Sequence, residues 1–281
     1  MTPAVRMAGQ LPATPPSAAP TTLAGRWLAP FGFELQGHDL AELSDAGVAQ
    51  LRRTLAAAGV VVARGQAMDD AGFAQLLSRL GPSMTTTGET PVPGRPTLNV
   101  VTNVGRTRRP RSVYHSDTSY AARPPAFTAL RAVTVPKQGG ETLFVCQYDA
   151  LRHLPPPVRR AIEGVRVLHR ASGIALGAEL TKSWHPMVRL NPDSGRPALF
   201  LSTPARCVAL PGVPAPRARR LLRLLYHHST RRGPVYRHRW RAGDVVLWDN
   251  RCTLHRADHS AVDGDRTLHR GMVRGETPRP A

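Results

Sequence analysis

Apolar residues in the first part of the chain follow two different spacings. Over residues 45–58 they recur three and four positions apart, which predicts an amphipathic helix. The nearly continuous apolar run that follows, within residues 59–66, predicts a buried strand. A second helix is predicted over residues 69–80, because acidic residues open it and Gly81-Pro82 ends it.

Beyond these helices the chain is dominated by short β-like runs with turn residues between them. Two helical patches interrupt the runs, at residues 149–163 and 214–228. Many short strands separated by turns favour a sandwich or barrel over a βαβ sheet. We therefore predict a mainly β fold with flanking helices (α+β) on a double-stranded β-helix, a cupin-like jelly-roll core. The predicted strands are residues 127–135, 141–146, 165–170, 187–190, 198–202, 235–240, 244–250 and 266–274.

No internal repeat is visible, and no linker divides the chain cleanly. Residues 1–25 are rich in Pro, Ala and Thr and are predicted to form a disordered arm. Residues 26–281 are predicted to form a single domain. Within it, residues 83–112 are rich in Thr, Pro, Gly and Arg, with one short predicted strand at 98–103, and are typical of a long functional loop.

The formal net charge of +19 raises the hypothesis of nucleic-acid binding. Arginine supplies nearly all of this charge, since Lys137 and Lys182 are the lysines of the chain. Nucleic-acid grooves usually combine clustered charge with aromatic side chains, whereas aromatic residues here make up 5% and the arginines are spread along the chain. We therefore favour a solvated arginine-rich surface and keep nucleic-acid binding as the less favoured alternative.

Cysteine content and hydropathy narrow the class of protein further. The three cysteines form neither a disulfide framework nor a C-x-x-C metal motif, which favours a reducing cytoplasm. No apolar run approaches the roughly 20 residues of a membrane-spanning helix, so no membrane association is expected. A hydrophobic content of 41% is sufficient for a sizeable core.

One candidate site begins at the stretch VYHSDTSY, residues 113–120. His115 is the only histidine of the chain with a carboxylate two positions downstream, that of Asp117. If residues 113–117 are extended, both side chains lie on one face, because alternate residues of a strand do so. The pair is then either an ordinary buried ion pair or two ligands of one metal ion.

A third ligand is available in GDVVLWDNRCTLHRAD, residues 243–258. A buried strand is predicted there, followed by a break and a second extended stretch that contains His255. Two histidines and one carboxylate with open coordination positions form the facial triad of non-haem Fe(II) oxygenases, in which a bidentate co-substrate and O2 bind together. A hydrolytic zinc site with three protein ligands is the alternative, since zinc accepts the same donors.

Two arginines downstream bear on this choice. Arg266 and Arg270 stand four positions apart in the predicted strand RTLHR and so face the same side. Because an unpaired buried charge is costly, two arginines inside a barrel indicate that anions bind there. One guanidinium could pair with a carboxylate of a dicarboxylate ligand through two hydrogen bonds. Two solvated arginines on an outer face are the alternative.

These residues resemble the Fe(II)/2-oxoglutarate dioxygenases that include taurine dioxygenase and 2,4-dichlorophenoxyacetate dioxygenase. The resemblance extends from about Phe31 to Arg274. It depends on H-S-D at 115–117, PKQGGETLF at 136–144, HPMVR and NPDSGR within 185–196, and WDNRCTLHR at 248–256.

The resemblance implies a role for individual residues. It implies that His115, Asp117 and His255 bind iron, and that Thr142 and Arg266 hold the distal carboxylate of 2-oxoglutarate. It also implies that Arg270 contacts an anionic group of the substrate. A carboxylate at Asp117 favours hydroxylation, since halogenating relatives lack one at that position.

Two positions depart from the family pattern. Tyr114 precedes the first ligand where relatives mostly have tryptophan, and Arg111 stands where asparagine is frequent. Because that second position lies near the substrate in the family, Arg111 is a candidate substrate contact and argues against taurine itself. The alternative is one more exposed arginine of a basic loop.

The expected function is therefore a dioxygenase that uses Fe(II), 2-oxoglutarate and O2 to hydroxylate a small anionic substrate, a sulfonate, an aryloxyalkanoate or a similar carboxylate. Succinate and CO2 are the expected co-products. A biosynthetic hydroxylase of an amino-acid-like metabolite is the alternative within this class, and a nucleic-acid-binding or demethylating protein lies outside it. A homo-oligomer is expected from the resemblance alone.

Overall fold

The computed structural model describes residues 23–106, 112–171, 182–231 and 233–281. Residues 1–22 lie outside it, so the predicted arm remains a prediction, as does the single domain. The helices are α1 (Asp45–Ala58), α2 (Asp70–Leu80), α3 (Gln147–Arg152), α4 (Pro156–Ile162) and α5 (Ala215–Arg231). The strands are β1 (Gly25–Trp27), β2 (Phe33–Leu35), β3 (Val60–Ala63), β4 (Ser83–Met84), β5 (Pro91–Val92), β6 (Arg95–Thr102), β7 (Pro125–Thr134), β8 (Thr142–Cys146), β9 (Arg166–Arg170), β10 (Lys182–Pro186), β11 (Val188–Leu190), β12 (Pro197–Leu199), β13 (Cys207–Ala209), β14 (Val235–His238), β15 (Val245–Asp249), β16 (Thr253–Ala257) and β17 (Thr267–Arg274).

Two sheets form the centre of the fold. The larger one has the strand order β1-β2-β3-β15-β7-β17-β6-β5, and β4 adds to it by pairing with β17. The smaller one has the order β14-β8-β16. Pairing in both is antiparallel except between β2 and β3. The predicted jelly-roll core is confirmed.

Apolar side chains from both sheets meet in one buried cluster. The larger sheet contributes Val246 and Leu268, and the smaller sheet contributes Phe144 and Tyr236. Trp248 belongs to the same cluster and is fully buried, with its ring 5.4 Å from that of Phe144. Because side chains alternate along a strand, the neighbours of these residues point to the opposite faces.

Helices α1 and α2 cover the other face of the larger sheet, as their apolar spacing predicts. Leu55 of α1 and Phe73 of α2 are fully buried and pack in one cluster with Phe127 of β7. Each helix begins after a residue whose side chain caps it. The hydroxyl of Ser44 accepts a hydrogen bond from the backbone N–H of the third residue of α1, and the carboxylate of Asp69 accepts one from the third residue of α2. Local sequence and core packing therefore agree over this part of the chain.

The helical patch predicted over residues 149–163 is two helices instead of one. Helix α3 ends at Arg152, and α4 begins at Pro156. Residues 155–157 are consecutive prolines, which lack the N–H that a continuing helix needs and are tolerated only in a first turn. Together with α5, these helices pack on the strands β9 to β13 around a separate apolar cluster.

None of the described helices is both long and apolar enough to cross a membrane.

Leu55→Ala should lower the free energy of unfolding by about 2–5 kcal/mol, because it leaves a cavity in the core between α1 and the larger sheet. Leu224→Ala is the matched control, since Leu224 is also helical but 59% exposed, and it should change stability by about 0.5 kcal/mol or less. Urea unfolding followed by circular dichroism measures both. Equal effects of the two substitutions would contradict this packing.

Candidate active site

His115, Asp117 and His255 come together as predicted. One donor atom from each lies within 4.8 Å of the other two. The Nε2 atom of His115 is 3.6 Å from one carboxylate oxygen of Asp117, and that of His255 is 3.7 Å from the other. Separations of this size suit three ligands around one ion better than a direct hydrogen bond.

Backbone pairing between distant parts of the chain positions the cluster. The N–H of His115 donates to the carbonyl of His255 at 2.9 Å, and the reverse bond is 3.0 Å. This is an isolated bridge on β16, and no strand forms over residues 113–117. The chain turns after Ser116, with Thr118 at a φ of 40°, and the turn directs Asp117 towards the two imidazoles.

The two imidazoles are arranged to offer Nε2. Nδ1 of His115 lies 3.0 Å from the carbonyl of Val113, which only accepts hydrogen bonds, so the proton is on Nδ1 and Nε2 is free to bind. His255 packs against the ring of Trp248, 4.5 Å away. Burial lowers the pKa of His255 to about 3, so its ring is neutral at neutral pH, as a metal ligand must be.

Asp117 is held as a carboxylate. Burial alone would raise the pKa of Asp117, but the neighbouring imidazoles of His255 and His115 and the guanidinium of Arg270 together lower it well below its usual range. The hydroxyl of Thr128 donates to this carboxylate at 2.8 Å. An ionised, oriented carboxylate beside two imidazoles is a donor set suited to a divalent ion such as Fe²⁺ or Zn²⁺.

Thr128 and Asn250 support this carboxylate, and sequence reasoning missed both. The amide of Asn250 donates to the Thr128 hydroxyl at 2.7 Å, and its oxygen accepts from the backbone N–H of Asp117 at 3.2 Å. Asn250 lies in the WDNRCTLHR motif, so the motif was a signal, although it did not indicate the role. Nothing in the local sequence distinguishes Thr128 from other strand threonines.

Arg266 is the second feature of the site. Its side chain is 2% exposed and, within the described part of the chain, no acidic residue pairs with it. It donates to the carbonyl of Gly140 at 2.8 Å and to the hydroxyl of Thr142 at 3.5 Å. Burial lowers the pKa of Arg266 to about 10, which still leaves it charged at neutral pH. An uncompensated buried guanidinium is a receptor for an anion.

The PKQGG turn is shaped by this arginine. Gly140 has a φ of 73°, and a Cβ there would lie 2.8 Å from Cδ of Arg266. Glycine is therefore required both by the backbone and by the close approach of the side chain. The indole of Trp240 donates to the Thr142 hydroxyl at 3.1 Å, which fixes the other side of the same small space.

Arg270 lies within β17, four positions after Arg266 and close to the metal cluster. One of its terminal nitrogens is 3.8 Å from Asp117, and another forms an ion pair with Glu89. The structure therefore brings together all the predicted site residues except Arg111, which lies outside the described residues. Glu89 was not predicted; it lies between β4 and β5, in the stretch predicted as a long loop, where the sequence has no periodicity to interpret.

The sequence also matches the family model described as taurine catabolism dioxygenase TauD, TfdA family, over residues 20–272. The chain belongs to this TauD/TfdA family. That membership agrees with the resemblance found in the sequence motifs, and with two facing sheets that enclose a histidine–aspartate–histidine cluster.

Individual relatives support the assignment to the TauD/TfdA family. The chain is 38% identical over 173 residues to the alpha-ketoglutarate-dependent 2,4-dichlorophenoxyacetate dioxygenase of Cupriavidus pinatubonensis, a match that covers 57% of this chain and 59% of that one. It therefore aligns with little more than half of that relative. It is 28% identical over 277 residues to an alpha-ketoglutarate-dependent sulfate ester dioxygenase of Pseudomonas putida, covering 88% and 87% of the two chains.

Solved structures of similar proteins extend over nearly the whole fold. A taurine dioxygenase from Burkholderia xenovorans superposes with a TM-score of 0.81 at 31% identity, covering 93% of this chain and 92% of that one. AAD-2 in complex with Mn(II) and N-oxalylglycine superposes with a TM-score of 0.79 at 26% identity, covering 92% and 99%. The jelly-roll architecture of this TauD/TfdA family member is thus shared with both.

The stability of the metal-free protein should fall as the pH falls from about 7 to 4. Burial lowers the pKa of His185 to about 4 and that of His255 to about 3, from an ordinary value of 6.5. The unfolded chain therefore takes up protons below pH 6.5 that the folded protein does not, and stability present above that pH is lost. For His185 the loss by pH 4 is on the order of 3 kcal/mol.

Urea unfolding at a series of pH values measures this loss. In His185→Gln the free energy of unfolding should depend less steeply on pH than in the native protein. The control is His227→Gln, at an exposed position, which should show the same pH dependence as the native protein. An unchanged slope in His185→Gln would contradict the assignment.

Proposed function

We propose that the protein is an Fe(II)- and 2-oxoglutarate-dependent dioxygenase that hydroxylates a C–H bond of a small anionic substrate. The expected co-products are succinate and CO2. The observation that supports this most strongly is the pairing of two features: a cluster of two histidines and a carboxylate, and beside it a buried arginine with no acidic partner among the described residues. Relatives named as alpha-ketoglutarate-dependent dioxygenases support the same proposal.

In this proposal His115, Asp117 and His255 hold the metal ion. Bound ferrous iron would supply the activation of O2 and the oxidative decarboxylation of 2-oxoglutarate. The residues around it keep the donors in place: Thr128 orients the Asp117 carboxylate, and Trp248 shields the ring of His255 from water. Three protein ligands leave coordination positions for the co-substrate and for O2.

Arg266 and Thr142 bind the distal carboxylate of 2-oxoglutarate in the same proposal. A guanidinium forms two parallel hydrogen bonds with a carboxylate, and the Thr142 hydroxyl is already oriented by the indole of Trp240. No acidic residue among the described ones compensates the buried charge of Arg266. The distal carboxylate of 2-oxoglutarate would supply the missing negative charge and so neutralise it.

The substrate is proposed to bind near Arg270, between the loop that contains Glu89 and the metal cluster. The relatives named above act on a sulfate ester and on an aryloxyacetate, which are anions, and an arginine at this point suits an anion. Glu89, however, favours the second candidate, a hydroxylase of an amino-acid-like metabolite, because a carboxylate opposite the arginine suits a substrate with an amino group. Arg111 stays a predicted substrate contact.

We also propose that the protein acts in a reducing cytoplasm, since Cys146, Cys207 and Cys252 are all unpaired. A small molecule, and not a nucleic acid, is its proposed binding partner. A homo-oligomer is proposed from the family resemblance.

His115→Ala should abolish metal-dependent turnover, because it removes one of three metal ligands. Two readouts are needed: succinate release with Fe(II), ascorbate and 2-oxoglutarate across sulfonates, aryloxyalkanoates and amino acids, and Mn(II) affinity of the purified protein by calorimetry. The affinity for Mn(II) should fall about 100-fold or more. The exposed His153 replaced by Ala is the control and should match the native protein. Retained zinc with no succinate from any substrate would overturn the proposal in favour of a hydrolase.

Arg266→Gln should raise the concentration of 2-oxoglutarate needed for half-maximal succinate release by roughly 10- to 100-fold, since it removes a charge-assisted pair with the co-substrate. Mn(II) binding should be unchanged, because Arg266 is not a metal ligand. Arg219→Gln, on the exposed face of α5, should have no effect on either quantity. An unchanged 2-oxoglutarate requirement in Arg266→Gln would contradict the role assigned to this arginine.

A further inference from the structure

Arg270 already has a partner of opposite charge in the protein itself. Glu89, in the turn between β4 and β5, forms an ion pair with one of its terminal nitrogens. The side chain of Arg270 is 16% exposed and that of Glu89 is 29% exposed, so the pair is partly shielded from water. Arg266, four positions earlier on the same face, has no such partner among the described residues. The two arginines are therefore not equivalent anion receptors.

The ion pair leaves one polar atom of each partner without a hydrogen bond. Oε2 of Glu89 and Nε of Arg270 are both shielded from solvent, and neither has a hydrogen-bond partner in the part of the chain that the structure describes. One is an acceptor and the other is a donor. Buried polar atoms are rarely left unmatched, because each lost hydrogen bond is costly. A ligand that offers both a donor and an acceptor would satisfy the two atoms together.

Charge balance points to the same kind of ligand. The Arg270–Glu89 pair is neutral as a whole, and the nearby carboxylate of Asp117 belongs to the metal cluster. A simple monoanion would have to compete with Glu89 for the guanidinium and would leave a carboxylate uncompensated at low dielectric. A ligand with one negative and one positive group pairs with both side chains and leaves the local charge balanced.

We propose that Glu89 is a specificity-determining residue that selects zwitterionic substrates, in which an ammonium group pairs with Glu89 and an acidic group pairs with Arg270. This inference rests on the proposed function and favours the second candidate for its substrate, an amino-acid-like metabolite. Amino acids and aminosulfonates belong to that class, whereas aryloxyalkanoates and sulfate esters without an amino group do not. The neighbouring hydroxyl of Thr86, which is also buried without a partner among the described residues, lies in the same loop as Glu89.

Binding of isosteric pairs tests the proposal without requiring turnover. The probes are taurine with 1-propanesulfonate, and 4-aminobutanoate with pentanoate; in each pair a methyl group replaces the ammonium. Calorimetry on the full-length protein loaded with Mn(II) and 2-oxoglutarate gives the affinities. The zwitterion of at least one pair should bind about tenfold more tightly than its partner, as expected for a hydrogen-bonded charge pair.

Glu89→Gln should abolish this preference while leaving the shape of the side chain nearly unchanged. The affinity of this variant for the methyl analogues should stay the same or rise, because the carboxylate of Glu89 no longer competes with them for Arg270. Glu42→Gln, at an exposed position, is the matched control and should keep the preference of the native protein. A parallel titration with 2-oxoglutarate should give the same affinity for the native protein and Glu89→Gln.

Several results would overturn the proposal. One is equal affinity for the two members of both pairs, and another is no binding of any zwitterion. A third is a Glu89→Gln variant that binds every probe more tightly by the same factor, in which case Glu89 only shields Arg270. Failure of the proposed function can be distinguished from failure of this inference, because the native protein would then neither bind 2-oxoglutarate nor release succinate. If both are present but the ammonium preference is absent, only the inference on Glu89 is wrong.

Discussion

Two backbone hydrogen bonds between His115 and His255 are the interaction on which the site depends. They attach the segment around His115 to β16 at the edge of the smaller sheet, and so bring two imidazoles from distant parts of the chain to one point. The next strand of that sheet, β8, begins at Thr142, and in the facing sheet Arg266 directly precedes β17 while Arg270 lies within it. The packing of the sheets around Phe144, Trp248 and Leu268 sets the distance between these groups.

Arg266 and Arg270 show how one strand face produces two different electrostatic environments. Both are partly or fully removed from water, yet Arg266 has only neutral partners among the described residues, whereas Arg270 is compensated by Glu89 and lies near Asp117. A buried charge without a counter-charge favours a ligand that brings one, while a compensated charge favours a ligand of balanced charge. The division of roles proposed for the two arginines, one for the co-substrate and one for the substrate, follows from that difference.

Much of this arrangement could be predicted from the sequence. Helical periodicity identified α1, α2 and α5, and alternation with turn residues identified most strands of the core. Strand β1 was missed because its three residues are all exposed and show no apolar alternation. The metal cluster followed from H-x-D and a distant histidine. Thr128 and Glu89 could not be predicted, since each acquires its contacts only when segments far apart in sequence pack together.

The most direct measurement of the central claim is a crystal structure of the protein with Mn(II) and 2-oxoglutarate. We predict one metal ion bound by Nε2 of His115, the carboxylate of Asp117 and Nε2 of His255, with the distal carboxylate of 2-oxoglutarate on Arg266. A metal ion held by other residues, or a 2-oxoglutarate molecule whose distal carboxylate displaces Glu89 from Arg270, would contradict it.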